Sequence, residues 1–567
     1  MNYCAIIIFY KFVVSKCLCN FAFGKLIIGI LYTMERKIKP GFIFEISWEV
    51  CNKIGGIYAV LLTKSRSMVK FSNGNLLFVG PDLKQDVDNK LFISSDESNF
   101  LAYLQNTYGL TARIGKWNIP GNPKAILVDF SPLYDRKNEI YTEMWQDFGV
   151  DSLHAYGDYD EASMFGVASG MVVKAYCEFY RLHKKRVVAH FNEWMTGFGL
   201  FYLKKYYPNA ATLFTTHATT VGRSIAGNGK EFYRYFSGYH GFQMAEELNV
   251  VSKHSVEYHA AHLADCFTTV SNITNNECVQ LLDKSADVIT PNGFDIDIVP
   301  RGAVFNSVTA SSRKKLIAVA EQLLGEEINP ESVITAISGR YEFKNKGIDV
   351  YIDALSKINN TSNIPVLAYI LVPAWHSGAK NLKYNQGDRI TTHNLMQPDN
   401  DPVLCALKSK GLVNSKENNV KVIFVPAYLC GDDGVFDVSY YRLLSGFDMT
   451  LFPSYYEPWG YTPLESVFFG IPTVTTSLSG FGNWVNPDCQ DIDKGVAVIN
   501  RDDTNFDYVS SKCAEQIIAV KSYIADGTIS AVKNAAKEIA KDARWFNFFE
   551  YYKLAYSFAL KKKKNNF

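Results

Sequence analysis

The chain has 567 residues, 47% hydrophobic and 20% charged, with 58 Lys plus Arg against 57 Asp plus Glu. That length exceeds one ordinary core, and the composition excludes a disordered chain. The balanced charge gives no global field for nucleic acid or an anionic membrane, so a small substrate has to be held by local groups.

Residues 1–33 are apolar but interrupted by Lys11, Lys16 and Lys25. No run reaches the roughly 18 uncharged residues of a spanning helix. A single apolar block with a small-residue cleavage site, as in a signal peptide, is not clear either. The segment is read as an unassigned leader ahead of a working start at Met34, a membrane-associated segment being the alternative; stable membrane insertion is not expected. The eleven cysteines are scattered without zinc-finger spacing, which fits a reduced, cytoplasmic protein.

From residue 42 the pattern is strand, turn, helix, repeated. Phe44–Val50 leads into Lys53-Ile54-Gly55-Gly56-Ile57. Gly55 and Gly56 allow a backbone to approach a phosphate, and Lys53 adds charge. Apolar β-branched runs follow at 75–79, 125–130, 187–190, 213–216, 266–270 and 288–290, separated by helical stretches such as 161–182. Strands alternating with helices predict parallel sheets covered on both faces. His190 closes the run 187–190 beside Asn192 and Glu193, and its strand-end position marks it for contact with a sugar. Pro291-Asn292-Gly293 is a turn signal and a plausible hinge.

A second series of strands is expected at 333–338, 366–372, 420–425, 449–452, 473–475 and 496–499. Two doubly wound α/β domains facing a cleft result, with ligands beyond the carboxyl ends of the strands. Arg340 and Lys346 flank the loop after the first of these strands, where a guanidinium fork and an ammonium can converge on one anion. After 449–452 comes Tyr455-Tyr456-Glu457-Pro458-Trp459-Gly460-Tyr461-Thr462-Pro463-Leu464-Glu465. Thr462 as N-cap, Pro463 at the first helical position and Glu465 three residues after the cap predict a capping box, with helix amides aimed at the cleft. Glu457 precedes that cap and has no such structural use. Trp459, Gly460, Tyr461 and Thr462 are placed with the substrate at this helix start.

The Glu457-to-Glu465 spacing, the string SYYEPWGYTPLES and LSGFGNW at 478–484 closely resemble glycogen synthases of the eukaryotic type and their compact bacterial relatives. The likeness runs from about Phe44 to about Tyr552. It implies a GT-B fold, two Rossmann-like domains facing a cleft: an acceptor domain at 34–292, a nucleotide-sugar domain at 293–544, and a segment 545–567 returning to the first domain. It implies retaining transfer of glucose from UDP-glucose to the non-reducing end of an α-1,4-glucan such as glycogen. An ADP-glucose-dependent synthase and a non-catalytic glucan-binding scaffold are the alternatives. Residue by residue, Arg340 and Lys346 would stabilise the leaving diphosphate, which the loop of Lys53, Gly55 and Gly56 covers. Glu457 would orient the donor glucose, Glu465 would hold the ribose, and His190 a glucose hydroxyl. Tyr428 and Tyr440 resemble the aromatic residues that stack on uracil. In the string Thr215-Thr216-His217-Ala218-Thr219, then Gly222-Arg223-Ser224, Arg223 would reach phosphates or acceptor, and His217 is read as structural. The family usually shows His-Phe-His-Glu-Trp where this chain has His190-Phe191-Asn192-Glu193-Trp194, so no proton-carrying side chain stands at 192. No Asp-x-Asp stands at a strand end, so neither metal nor cofactor is expected. A homo-oligomer is left open. Eukaryotic relatives respond to glucose 6-phosphate through an arginine-rich helix. The matching stretch 517–544 offers Lys521, Lys533, Lys537, Lys541 and a single arginine, Arg544, so no such response is expected.

Overall fold

The computed structural model describes residues 38–83, 91–382, 389–486 and 488–565. The chain divides into two units, Met1–Lys39 and Pro40–Phe567, and the 1–33 leader lies outside the described residues.

Its first sheet contains nine strands: β1 (Phe42–Ile46), β2 (Leu76–Pro81), β3 (Phe92–Ser94), β4 (Thr111–Trp117), β5 (Lys124–Asp129), β6 (Val187–Asn192), β7 (Ala211–Thr216), β8 (Cys266–Thr269) and β9 (Val288–Ile289). Their order is β3-β4-β5-β2-β1-β6-β7-β8-β9. The central strands β1, β2, β6 and β7 are buried along their whole length, as parallel strands covered on both faces must be. Expectation and structure part at one edge. β4 runs antiparallel to β5, and β3 antiparallel to β4. Polar and apolar residues mix along β4, with Arg113 and Lys116 in it, so it lacks the continuous apolar run that marks the buried strands.

The second sheet is wholly parallel: β10 (Val333–Ser338), β11 (Val366–Leu371), β14 (Val420–Val425), β15 (Met449–Leu451), β16 (Thr473–Thr476) and β17 (Val496–Ile499), in the order β14-β11-β10-β15-β16-β17. A separate two-stranded ribbon, β12 (His376–Ala379) with β13 (His393–Leu395), lies between β11 and β14 in sequence. Each main sheet has its own apolar core. Each also reverses its winding once. From β1 the chain goes outward to β2 on one side and later returns to β6 on the other. From β10 it goes to β11, then returns to β15. Side-chain-lined crevices open where winding reverses, at the carboxyl ends of β1/β6 and of β10/β15.

The chain passes between the sheets twice, side by side. Phe294 N donates to Ala543 O at 3.2 Å, and Trp545 N donates to Phe294 O at 3.3 Å. Gly293 is needed there, because a Cβ would come within 2.9 Å of Trp545 N and 3.0 Å of Ala543 O. The helix Trp545–Asn565 then packs against the helix Gly56–Ser72 and against β7 and β8 of the first sheet. Its Tyr552 ring sits under the buried Lys64 ammonium, 4.4 Å away.

Candidate active site

The residues after β10 and β15 meet. The loop from Gly339 to Gly347 folds back on the β15 loop, and Asn345 O accepts from Tyr455 N and Tyr456 N (2.9 and 3.2 Å). Gly347 makes this possible: its φ is +74°, and a Cβ would fall 2.1 Å from Pro453 O. Lys346 Nζ thereby donates to Glu457 Oε2 at 2.6 Å, with side chains 15% and 11% exposed. Arg340, exposed, rests on Glu342 at 2.8 Å. Burial alone would raise the Glu342 carboxyl, but Arg340, Lys346 and Arg223 hold it below the usual range.

From the first sheet, Arg223 projects from the first turn of the helix Thr220–Gly227. Burial opposes its charge, but Glu193, Tyr456, Glu342 and Glu457 more than offset this and raise its pKa. One guanidinium therefore feels carboxylates from both sheets. Lys53, exposed, reaches Cys430 Sγ beyond β14 at 3.2 Å. Further out, Tyr456 OH donates to Glu277 Oε2 at 2.8 Å, and Thr274 Oγ1 to Pro458 O at 3.4 Å. The cleft is thus lined by Lys53, Arg223, Arg340 and Lys346, of which Arg340 pairs with Glu342 and Lys346 with Glu457.

Glu465 is buried, and Tyr441 OH donates to its Oε1 at 2.7 Å. Burial raises the Glu465 carboxyl to about 8, against the hydrogen bond and the charge of Lys53. The expected capping box is absent. The helix runs Tyr461–Phe468 with Gly460 (φ +103°) as its cap and no side-chain capping bond. Pro463 and Thr462 lie inside its first turn, because the β15 loop enters through the left-handed glycine. Glu465 is released from capping and turned toward Tyr441.

Several expected site residues lie elsewhere. His190 is fully buried, with Nδ1 2.9 Å from Glu45 Oε2 and Nε2 2.7 Å from Thr215 Oγ1. The ring is closed off from a sugar, because β6 continues to Asn192 and leaves His190 inside the sheet. Trp459 packs on Phe481 and Phe548 in the interior. Tyr461 OH is taken by Thr63 Oγ1 and donates to Gly293 O at 2.9 Å, pinning this helix to the chain crossing instead of facing a substrate. Gly55 N donates to Glu49 Oε2 at 2.8 Å, as does Tyr58 N at 2.7 Å. The amide expected to face a phosphate is therefore capped internally, while Gly56 stays exposed and open. Tyr428 is 60% exposed and free to stack. Tyr440 is half-buried and its hydroxyl meets Ser338 Oγ at 2.8 Å, steadying the base of the Arg340 loop.

Three further residues stand just after strands of the first sheet. His217, read as structural, is partly buried at the carboxyl end of β7, with Nε2 3.0 Å from Asn192 Oδ1. Glu193 accepts from His217 N at 2.9 Å and holds a strained φ of +69°. Glu49 fills the helix start, and burial raises its carboxyl against the opposing pull of the Tyr58 and Gly55 amides and of the Arg340 and Arg223 charges. The sequence signal for His217 was its place one residue past a strand, the same signal that was given to His190. Among the described residues, no His, Cys, Asp and Glu group could hold a metal ion, and no helix is long and apolar enough to cross a membrane.

The family described as Glycogen synthase matches residues 45–387 and 380–566. The chain belongs to the glycogen synthase family. It is similar to the Glycogen [starch] synthase of Neurospora crassa, 29% identical over 542 residues that cover 82% of this chain and 76% of that one. The liver Glycogen [starch] synthase of Rattus norvegicus is 28% identical over 528 residues, covering 81% and 75%. Among solved structures, the catalytic domain of starch synthase IV from Arabidopsis thaliana, bound to ADP and acarbose, superposes with a TM-score of 0.56 at 13% identity, covering 92% of this chain and 100% of that one. The glycogen synthase family member described here is a glycosyltransferase of GT-B fold.

Proposed function

We propose that this glycosyltransferase moves glucose, with retention, from UDP-glucose to the non-reducing end of an α-1,4-glucan. The observation that carries the reading is the Lys346–Glu457 pair at 2.6 Å, set at the winding reversal of the second sheet with Arg340 beside it and Arg223 facing it. A departing diphosphate needs fixed cations, and Arg340 and Lys346, each held in place by one carboxylate, supply them together with Lys53. As the bond from the anomeric carbon to the phosphate oxygen breaks, Arg340, Lys346 and Lys53 take up the growing negative charge. Glu457 favours the positive charge that develops on the sugar. The acceptor hydroxyl attacks from the face the diphosphate leaves and passes its proton to a phosphate oxygen. Exposed Tyr428 offers a ring to the base, and Glu465, neutral at pH 7, can donate to a ribose hydroxyl.

In this reading residues 34–292 carry the acceptor side, residues 293–544 the nucleotide-sugar side, and 545–567 belong with the former. Cytoplasmic residence is supported by the free thiols of the described cysteines. The deciding experiment is a radiolabelled transfer assay on glycogen with UDP-glucose and ADP-glucose in parallel. Incorporation from UDP-glucose is expected. Incorporation from ADP-glucose alone would overturn the donor assignment, and none from either would overturn the reading.

A further inference from the structure

The amide of Asn192 has only one sensible orientation. Its nitrogen donates to Ile46 O at 3.0 Å and to Glu45 Oε1 at 3.2 Å. Reversed, the amide would set its oxygen against two acceptors. Asn192 Oδ1 is therefore the atom 3.0 Å from His217 Nε2. A carbonyl oxygen can only accept, so Nε2 carries the proton. Glu45 is anchored in turn by Lys64 Nζ at 2.8 Å and His190 Nδ1 at 2.9 Å, which fixes the network from the centre of the first sheet outward.

A second proton on His217 is disfavoured. Burial lowers its pKa, and Lys64, His190 and Arg223 lower it further against Glu45, to about 3. The carboxylate of Glu193 is held off the ring, since it accepts from His217 N. Among the described residues nothing hydrogen-bonds Nδ1, and the residue is partly buried at the carboxyl end of β7.

We propose that Asn192 is a positioning residue: by accepting from Nε2 it holds His217 as a neutral imidazole whose Nδ1 lone pair accepts a hydroxyl of the glucosyl unit being transferred. This rests on the reading of the cleft as the site of glucosyl transfer. An amide at 192 does what no proton-exchanging side chain could do alone: it leaves His217 a single tautomer.

The test has a spectroscopic arm and a kinetic arm. In the full-length protein labelled with 15N-histidine, the resonance lost in His217→Gln is expected to report the Nε2–H tautomer at neutral pH. Asn192→Leu, checked for folding by circular dichroism, is expected to lose that preference and about tenfold in kcat/KM for UDP-glucose. Such a loss is the size expected from one misplaced uncharged hydrogen bond. Asn192→His can accept through one ring nitrogen while donating through the other, and is expected to stay near the wild-type rate. Asn192→Asp places a carboxylate against the ring and is expected to create an acid limb in kcat/KM near neutral pH that the wild type lacks, because the imidazolium offers no lone pair. An Nδ1–H tautomer or an imidazolium in active wild-type enzyme overturns the proposal while leaving the transfer reading intact, and needs no variant to fold. A folded Asn192→Leu protein with unchanged kcat/KM overturns it equally. A wild type that transfers no glucose removes the transfer reading, and the role given to Nδ1 with it.

Discussion

Glu457 and Lys346 pair in the cleft at 2.6 Å, so each mutation there exposes a different half of the chemistry. Glu457→Gln keeps the shape and loses the charge that favours an oxocarbenium-like centre. Turnover is expected to fall by orders of magnitude with UDP binding retained, as measured by initial rate and calorimetry. Arg340→Ala and Lys346→Ala each remove a cation that meets the departing diphosphate, worth about 3 kcal/mol, so kcat should fall about a hundredfold. Wild-type kinetics in either would move the diphosphate site. Glu465 gives a prediction in pH. Its carboxyl titrates in the folded protein at about 8, above its unfolded value. Between those values the folded state holds a proton that the unfolded state has lost, so this residue makes stability fall as pH rises through the window. Glu465→Gln mimics the neutral acid. Its stability relative to wild type, from denaturant unfolding at pH 5 and pH 8, is expected to improve at the higher pH.

At the scale of an element, the Gly339–Gly347 loop is the part that brings charge to charge. Gly347 combines a left-handed φ with close approach to Pro453 O, and neither tolerates a side chain. Gly347→Ala is expected to push the loop off the β15 segment, lengthen the Lys346–Glu457 contact and cut kcat, while circular dichroism stays that of a folded protein. Loss of fold instead would show that the loop carries more of the core than its place at a strand end implies. The helix at Tyr461 shows the converse. Its sequence reads as a Thr-Pro-x-Glu capping box, yet its start is set by Gly460 and by Tyr461 reaching the chain crossing at Gly293. A tertiary anchor outweighs a capping bond worth about 1 kcal/mol.

At the scale of the whole molecule, the stretch before Trp545 carries lysines that do not converge. Lys521 is tied to Glu331, Lys541 to Glu538, and Lys537 lies over the Phe305 ring. Burial lowers the pKa of Lys533, which Asp448 partly restores. No planar forks gather there for a sugar phosphate. The initial rate at subsaturating UDP-glucose is expected to be unchanged by millimolar glucose 6-phosphate. Strong activation abolished by Lys537→Ala with Lys541→Ala would show that these lysines can do an arginine cluster's work.

The two-sheet plan was legible in the chain, because parallel strands buried on both faces need continuous apolar runs, and each of the twelve such runs falls on a strand. The places of Arg340, Lys346 and Glu457 just after such runs were legible too, and in the fold Lys346 meets Glu457. What the sequence alone could not settle is which of two histidines faces the cleft. His190 and His217 both stand near strand ends, and only the pleat of β6, the buried Glu45–Lys64 pair beneath it and the helix returning from Trp545 put one in the core and the other at the opening. Nor could it show that Glu49 caps the glycine turn or that Gly460 begins the second site helix. The first turns on a carboxylate six residues before the glycine folding back onto its amide, the second on Tyr461 reaching Gly293 and Thr63 far away in the chain, and only the folded chain decides either.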